Sequence, residues 1–308
     1  MEQFTNLKQL ITHFSDEKTC REYLEQQRWN GKPVCPYCGC SEKVYRIEKG
    51  KRYKCGNKDC HKKFSITVGT IFENSKIALS TWFAAVYLAT AHKKGISSLQ
   101  LHRDLGVTQK TAWFMLHRIR ESMRDKAPDM LSGTVEADET FVGGKNKNRH
   151  ADKKVKFSQG RSFKDKTPVL GMIQRKGKLV TRVVKDTKAK TLKPVITQMV
   201  QEGTVLITDD WDSYKRLAHP YVHQVIKHGE GEYSREGFHT NNIEGFWSLL
   251  KRGIFGIYHY TSPKHLNRYC DEFSYRYNTR KIADTERFTL SLSKINGRLT
   301  YKNLISCQ

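Results

Sequence analysis

Four cysteines in the first quarter of the chain have the spacing of a metal site. They form two pairs, Cys35-x-x-Cys38 and Cys55-x(4)-Cys60, and each pair lies beside a tight-turn segment. Four thiolates suit tetrahedral Zn²⁺, which stabilises a segment too small to build its own core. Lys, Arg, Gly and Asn surround these cysteines, which argues against scattered buried thiols. The pattern therefore predicts a structural Zn²⁺ bound by Cys35, Cys38, Cys55 and Cys60.

The second cysteine pair is spaced more widely than a plain CxxC, so Cys40 and His61 stay open as replacements for one ligand. The start of the chain has no basic segment followed by an apolar block. Its longest mostly apolar stretch, residues 77–91, is shorter than the roughly 20 residues that a membrane-spanning helix needs. We therefore expect a cytoplasmic protein with no membrane partner, whose cysteines are reduced or bind metal.

Two aspartates end β-prone runs in the second half of the chain. Asp138 ends "TVEAD" and Asp209 ends "TVLITD". Acids that close two central strands can converge on one edge of a sheet, and Mg²⁺ prefers such hard oxygen ligands. Two ions held there would activate a hydroxyl and stabilise the leaving oxygen of a phosphodiester. Four nearby acids are rivals for these positions: Glu136, Glu139, Asp210 and Asp212.

A third acid lies on the amphipathic helix predicted from His239 to Gly253. At about 100° per residue, one polar face carries Asn241, Glu244, Ser248 and Lys251. The apolar face carries Ile243, Trp247, Leu250 and Ile254, whereas Asn242 falls on neither face. The polar face offers a carboxylate for metal and an ammonium for phosphate. The alternative is a capping box, in which Asn241 caps the helix and the Glu244 side chain bends back onto the backbone at the helix start.

The elements before these acids indicate DNA binding. Residues 96–120 predict a helix, a turn at Gly106 and a second helix, the spacing of a helix-turn-helix. The alternative is an ordinary helical hairpin. The side chains proposed to contact DNA are Gln109, Lys110, His117 and Arg118, with Lys251 and Arg252 of the later helix.

The net charge supports the same class of partner. The chain of 308 residues has 55 Lys and Arg against 31 Asp and Glu, a formal charge of +24. Such an excess repels itself unless a polyanion is near, and nucleic acid is the commonest polyanion for a soluble protein. Residues 143–166 contain nine of the basic residues and two Asp, which predicts a basic loop near nucleic acid.

The order of predicted strands and helices after residue 134 favours an α/β domain with a mixed sheet and flanking helices. The predicted organisation comprises an N-terminal helical segment (1–30), a zinc ribbon (31–74), the helix-turn-helix region (75–125), a linker (126–133), an α/β domain (134–260) and a C-terminal helical, basic segment (261–308).

Several of these segments together resemble a known family. They resemble bacterial insertion-sequence transposases of the ISXO-type group, which combine an N-terminal zinc ribbon with an RNase H-like Asp-Asp-Glu or Asp-Asp-Asn domain. The matching stretches are "CPYCG", "FSITVGTIFENSK", "VEADETFVGGK", "TDDWDSY" and "HTNNIEGFWSLLKRGIFGIYH" with its continuation through "SPKHLNRYCDEFSYRYNTRK". Glu244 follows Asp209 by 35 positions, and Lys251 follows Glu244 by seven, as in that group.

The resemblance implies an RNase H-like domain that uses Mg²⁺ or Mn²⁺ to cleave and join DNA at the element's terminal inverted repeats. Asp138, Asp209 and Glu244 would bind metal and Lys251 would contact DNA, with Asn241 as the alternative third residue. A homo-oligomer on DNA and a place near the bacterial nucleoid are further expectations. Two other readings stay open: a non-catalytic DNA-binding regulator, and an RNase H-like nuclease that cuts without joining.

Overall fold

The computed structural model describes residues 4–144, 146, 150–156, 162, 165–215, 217, 219–232 and 234–306. The chain divides into two compact units. The ribbon unit comprises Met1–Met123 and Lys281–Gln308, and the sheet unit comprises Arg124–Arg280. Within the described ranges, no helix is both long and apolar enough to cross a membrane.

Helices and strands alternate along both units. The helices are α1 (Leu7–His13), α2 (Glu17–Trp29), α3 (Leu79–Ala91), α4 (Ser98–Leu105), α5 (Gln109–Met123), α6 (Ala189–Met199), α7 (Asn241–Gly253), α8 (Pro263–Asn278), α9 (Asp284–Ser293) and α10 (Tyr301–Ile305). The strands are β1 (Val44–Ile47), β2 (Arg52–Cys55), β3 (Lys63–Phe64), β4 (Thr134–Val142), β5 (Thr167–Gln174), β6 (Leu179–Val183), β7 (Val205–Asp209) and β8 (Val222–Ile226).

The first three strands form a small antiparallel sheet in the order β1-β2-β3. Its apolar contacts are few, and they are made by aromatic rings: Tyr53 and Phe64 stack at 5.4 Å between ring centroids, and Trp29 of α2 meets both edge-on. A buried carboxylate, Glu25 of α2, accepts hydrogen bonds from the Tyr53 hydroxyl and the Arg46 guanidinium. The small sheet is thus fixed to α2 by one aromatic cluster and one ion pair.

The helices of the ribbon unit share an aromatic core. Phe14, Phe83 of α3 and Phe288 of α9 are fully buried, with Phe14–Phe83 and Phe83–Phe288 centroid distances of 4.7 and 5.7 Å. Helix α3 has ten buried residues of its thirteen, which explains its apolar composition all round. Because α9 follows residue 280, the last part of the chain completes the core begun by the first.

Helices α4 and α5 are joined by the turn that the sequence predicts. Gly106 ends α4 with a φ of 65°, a left-handed conformation that favours glycine, and the Thr108 hydroxyl accepts the Thr111 N–H at 3.2 Å. Gln109 and Lys110 are exposed at the start of α5.

The proposed DNA contacts of His117 and Arg118 are not retained. His117 is 0% exposed and its ring lies 4.5 Å from that of Trp113. Arg118 is 4% exposed, donates to the Glu73 carbonyl and lies over the Phe114 ring. Both side chains lie in the interior of the ribbon unit, where the hydrogen bond and the ring contacts of Arg118 offset part of the cost of burying its charge.

The sheet unit contains the mixed sheet that the sequence predicts. Its order is β6-β5-β4-β7-β8, in which β4, β5 and β6 are antiparallel neighbours while β7 and β8 run parallel to β4. Helix α6 covers one face through Leu192 and Ile196. Helices α7 and α8 cover the other face, where Trp247 and Phe273 pack against β5 and its neighbours. The α/β fold class with flanking helices is therefore confirmed.

The segment boundaries differ from the predicted organisation in two places. The predicted linker 126–133 is partly built into the sheet unit, since Leu131 is buried and pairs with Val200 beside α6. The predicted C-terminal segment is divided, because α8 belongs to the sheet unit and α9 to the ribbon unit. The basic loop predicted over 143–166 lies partly outside the described residues, since 11 of its 24 residues are not described.

Candidate active site and zinc centre

The four predicted cysteines meet at one point of the ribbon unit. The Sγ atoms of Cys35 and Cys60 are 3.7 Å apart, and those of Cys38 and Cys55 are 3.6 Å apart. Zn–S bonds of about 2.3 Å in a tetrahedron place sulfurs about 3.8 Å apart, so the spacing fits zinc. All four sulfurs lie within 4.8 Å of one another, and this group contains neither Cys40 nor His61. The geometry supports a structural Zn²⁺ held by the four cysteines first expected.

The two aspartates lie level with each other on neighbouring parallel strands. Glu136 of β4 pairs with Ile207 of β7, and the same offset two residues further along brings Asp138 level with Asp209. Asp209 ends β7 as predicted. Asp138 instead lies in the middle of β4, because β5 continues to pair with β4 as far as Val142. The acids therefore meet where the β4–β7 pairing stops, on the face covered by α7.

Helix α7 reaches Asp138 through an indole. The Trp247 Nε1–H donates to Asp138 Oδ2 at 3.0 Å. Opposite Asp138 on β5 is Gly171, where an added Cβ would lie 2.5 Å from the Trp247 ring and 2.8 Å from Ile243. A residue with a side chain cannot occupy this position without displacing α7. Gly171 thus allows the helix to approach the sheet closely enough for this hydrogen bond.

The third acid, Glu244, lies in the first turn of α7. Its carboxylate accepts the Thr240 hydroxyl at 2.7 Å, and its Oε1 lies 3.4 Å from Nε2 of His228. The capping-box alternative is wrong: Asn241 is the first residue of the helix, not its cap, the cap residue Thr240 makes no side-chain cap hydrogen bond, and Glu244 accepts the Thr240 hydroxyl. The first-turn N–H groups of Asn242 and Ile243 donate to Glu136 of β4. Glu244 is thereby left to face the cleft beside Asp138.

The acids line an open cleft of about 550 Å³. Its polar and charged lining residues include Asp138, Asp209, Glu244, Ser248, Lys251, Thr240, His228 and Lys166. Asn241 is exposed and is not among the residues that line it. Phe255, 48% exposed, also lines the cleft. His228, Lys166 and Phe255 were missed in the sequence because single residues in loops or beyond a helix carry no periodic signal.

The four rival acids have other partners or positions. Glu136 is fully buried beside the start of α7. Glu139 is among the residues that line the cleft, but its carboxylate accepts the hydroxyl of Tyr214, which packs on the opposite face of the sheet. Asp210 is exposed, and Asp212 is exposed in an ion pair with Lys215 at 2.6 Å. These positions leave Asp138 and Asp209 as the strand acids that present their carboxylates to the cleft.

The electrostatic environment of the cleft disfavours the charge of its central acid. Burial, followed by repulsion from Glu139 and Asp209, raises the pKa of Asp138 to about 7. Burial also lowers the pKa of Lys251, an effect that the nearby Asp138 charge opposes. A divalent cation would offset the repulsion between these neighbouring carboxylates. Carboxylate oxygens are also hard ligands, so the donor set fits Mg²⁺ or Mn²⁺.

The three carboxylates are less closely grouped than the cysteines. Among the residues that the structure describes, only the four cysteines bring every ligand atom of a group within 4.8 Å of the others. The half-exposed Glu244 carboxylate contacts the Thr240 hydroxyl and the His228 ring. Joint binding of one metal by all three acids thus requires a change of side-chain rotamer.

Fold and site together define a protein with a four-cysteine ribbon and an acidic cleft on a mixed sheet, and family comparisons agree with both parts. A transposase zinc-ribbon domain matches residues 15–63, and an ISXO2-like transposase domain matches residues 130–278. These two matches cover nearly two thirds of the chain. The chain therefore belongs to the insertion-sequence transposases that carry an ISXO2-like domain behind a zinc ribbon, as the resemblance predicted.

Individual relatives come from different microbes. An uncharacterized protein in transposable element ISH50 of Halobacterium salinarum is 29% identical over 79% of this chain and 85% of its own length. An uncharacterized transposase-like protein of Haemophilus influenzae is 28% identical over 35% of this chain and 86% of its own length.

A solved structure, the simian T-cell lymphotropic virus intasome in complex with PP2A regulatory subunit B56 gamma, contains a weakly similar chain. The identity is 12% and the TM-score is 0.29. The alignment covers 56% of this chain and spans 63% of the length of that chain. This similarity is too low to carry an argument.

Proposed function

We propose that this transposase cleaves and joins the DNA ends of its own element by metal-dependent phosphodiester transfer. The observation that carries the proposal is the meeting of Asp138, Asp209 and Glu244, from two parallel strands and a helix, in one open cleft with Lys251. Water would attack the phosphorus at the element's end and release a 3′-hydroxyl. That hydroxyl would then attack a target phosphodiester and release the target's own 3′-oxygen.

The chain's residues would divide this work. Asp138, Asp209 and Glu244 would hold divalent metal, which activates the attacking hydroxyl and stabilises the leaving oxygen when bound. Trp247 would keep the Asp138 carboxylate oriented through its hydrogen bond. Lys251 would contact a phosphate oxygen at the side of the cleft.

DNA would be held by surfaces beyond the cleft. Gln109 and Lys110 are exposed at the start of α5, and Arg252 is exposed beside Lys251 on α7. We expect the zinc ribbon and the α4–α5 pair to recognise the terminal inverted repeats, while Arg252 contacts the DNA backbone. Since two ends must be joined to one target, we also expect a homo-oligomer on DNA.

The test is an assay with purified, zinc-loaded protein, labelled duplexes of the element's ends and target DNA. With Mg²⁺, wild type should release a 3′-hydroxyl end and form a joined product. Asp138→Asn should lose both products, on the order of 10²-fold or more. Asp212→Asn is the matched control, since this exposed acid follows Asp209 by three residues but is not among the residues that line the cleft.

The outcomes separate the remaining functions. Full activity of Asp138→Asn contradicts the proposed site. End binding without Mg²⁺-dependent cleavage in wild type identifies a regulator, and cleavage without joining identifies a nuclease. A dead Glu244→Ala beside an active Asn241→Ala supports Glu244 as the third residue, and the reverse result assigns that role to Asn241.

A further inference from the structure

The start of α7 is held by a buried carboxylate from the neighbouring strand. Glu136 of β4 is 0% exposed, and its Oε2 accepts the backbone N–H groups of Asn242 and Ile243 at 3.0 and 3.2 Å. Its Oε1 accepts the Asn242 side-chain amide at 2.7 Å and Arg175 Nε at 3.0 Å. The four donors satisfy both oxygens of a group that would otherwise be costly to bury.

Arg175 extends this attachment to the segment before α7. Its two terminal nitrogens donate to the carbonyls of Gly237 and His239, at 2.8 and 3.2 Å. Its backbone N–H donates to the Thr134 carbonyl at 2.9 Å, which fixes the arginine to β4. The position of the helix start and the path of the chain entering it are therefore both tied to one strand.

That strand also carries Asp138, two residues beyond Glu136 on the same face. The helix carries Glu244, one residue beyond Ile243, whose N–H Glu136 accepts. One buried carboxylate thus belongs to the strand that carries the first acid and is bonded to the backbone beside the third. We propose that Glu136, together with Arg175, is a positioning group that sets where Glu244 stands relative to Asp138 and Asp209; this inference rests on the proposed function.

A carboxylate suits this role better than its amide. Both oxygens accept, and the negative charge faces the positive end of the helix dipole and the Arg175 guanidinium. Glutamine would turn an N–H₂ group toward one pair of these donors, so the helix start would shift or lose a bond. Loss of a group that orients metal ligands typically costs 10–100-fold in metal affinity.

The test measures Mn²⁺ binding by the zinc-loaded full chain without DNA, using the EPR signal of free Mn²⁺. Glu136→Gln should raise the Mn²⁺ dissociation constant by about 10–100-fold and leave zinc content and circular dichroism unchanged. Cleavage should fall further with Mg²⁺ than with Mn²⁺, because Mg²⁺ demands near-ideal octahedral geometry. A purely structural role for Glu136 would lower activity equally with both metals.

Glu272→Gln is the matched control. Glu272 is a buried acid in the same unit and pairs with Arg276 on α8, so the change has the same chemistry away from the start of α7. Its Mn²⁺ affinity should stay within about twofold of wild type, well inside the change expected for Glu136→Gln. Asn242→Ala removes one surface-side donor to Glu136 and should weaken Mn²⁺ binding several-fold.

Two failures are distinguishable. If Asp138→Asn binds Mn²⁺ as wild type does, the proposed metal site is wrong. If Asp138→Asn loses Mn²⁺ while Glu136→Gln binds like Glu272→Gln, the positioning inference is overturned and the proposed function stands. Should Glu136→Gln fail to fold, Asn242→Ala decides: weakened Mn²⁺ binding supports the inference, and wild-type affinity overturns it.

Discussion

At the scale of single residues, Asp138 has surroundings that oppose its charge. Glu139 and Asp209 are near and burial removes water, whereas the Trp247 indole, a backbone N–H and the nearby Lys251 favour the ionised form. The folded protein without Mg²⁺ therefore retains a proton on Asp138 up to its raised pKa of about 7, whereas an unfolded chain would release it near the ordinary pKa of 3.8. Above pH 7 the ionised Asp138 therefore lowers the stability of the fold, and the cation of the proposed function would offset this cost.

A pH-dependent cost to stability follows from this pKa. Between pH 4 and 7 the folded state binds more protons than the unfolded state, so the Asp138 contribution to the free energy of unfolding falls as pH rises. Without Mg²⁺, Asp138→Asn should be more stable than wild type at pH 8, by roughly 1–2 kcal/mol after allowing for partial exposure. The difference should vanish near pH 4, as measured by urea unfolding.

Addition of Mg²⁺ at pH 8 should narrow this gap, because metal binding stabilises the wild type alone. A gap that is constant from pH 4 to 8 would contradict the raised pKa of Asp138. If Mg²⁺ leaves the gap unchanged, the result would contradict the role of Asp138 as a metal ligand.

The charged residues show where sequence reasoning reaches its limit at this scale. Lys251 was placed correctly on the cleft side of α7, because helical periodicity separates it from the apolar stripe. His117 and Arg118 seemed equally free on α5, yet they are buried among Trp113, Phe114 and the Glu73 carbonyl. Contacts with distant parts of the chain, such as the Glu73 carbonyl, decide such burial, and no local sequence pattern predicts them.

At the scale of elements, the position of α7 depends on close packing. The apolar stripe predicted for this helix is buried as expected: Ile243, Trp247, Leu250 and Ile254. The attachment of its first turn to Glu136 could not be predicted, because the contact spans 106 positions and replaces a plausible local cap. The extent of β4 was underestimated for a similar reason, since pairing with β5 carries the strand past Asp138.

Gly171→Ala tests the packing of α7 on the sheet. The added methyl would lie 2.5 Å from the Trp247 ring, so the helix must move outward and the Asp138–Trp247 hydrogen bond must lengthen. We expect thermal unfolding to show a loss of about 1–3 kcal/mol in stability. In the end-cleavage assay, the cleavage rate should fall by a larger fraction than the stability does. Gly245→Ala is the control, because nothing lies within 4 Å of its added Cβ.

We expect the stability of the zinc ribbon to depend more on its metal than on its buried side chains. Cys55→Ser should remove about one zinc per chain and lower the melting temperature, since the three short strands bury few side chains. Binding to the element's ends should be lost with the zinc. Cys40→Ser, a change in the same ribbon outside the four-sulfur group, should keep zinc and binding. Zinc loss in Cys40→Ser would contradict the ligand set.

At the scale of the whole molecule, the formal charge of +24 should dominate weak DNA binding. Proteins with six to ten phosphate contacts lose on the order of 10³–10⁵ in affinity between 50 and 200 mM salt. We expect a loss in this range for a duplex of unrelated sequence, measured by fluorescence anisotropy. Arg252→Gln should reduce the slope of log affinity against log salt by about 1. A change of less than tenfold over that salt range would contradict a polyphosphate-binding surface.

The fold class, the four-cysteine group and the acids that line the cleft could be predicted from the sequence, because each rests on short, local spacing or on strand ends. The division of the chain into two units could not be predicted from the sequence. Nothing in the composition near residue 280 marks the point where the chain leaves one unit for the other. The aromatic contacts of Phe288 with Phe14 and Phe83 decide that division, and they join residues more than 200 positions apart.

The return of α9 to the ribbon unit has a consequence for synthesis. A ribosome makes α1 to α5 first. Phe14 and Phe83 cannot make their contacts with Phe288 until that residue has emerged. All of the residues of the sheet unit are translated in between. The part of the protein that carries the zinc ribbon therefore completes its core last, and a nascent chain halted before α9 would have an acidic cleft but an unfinished ribbon unit.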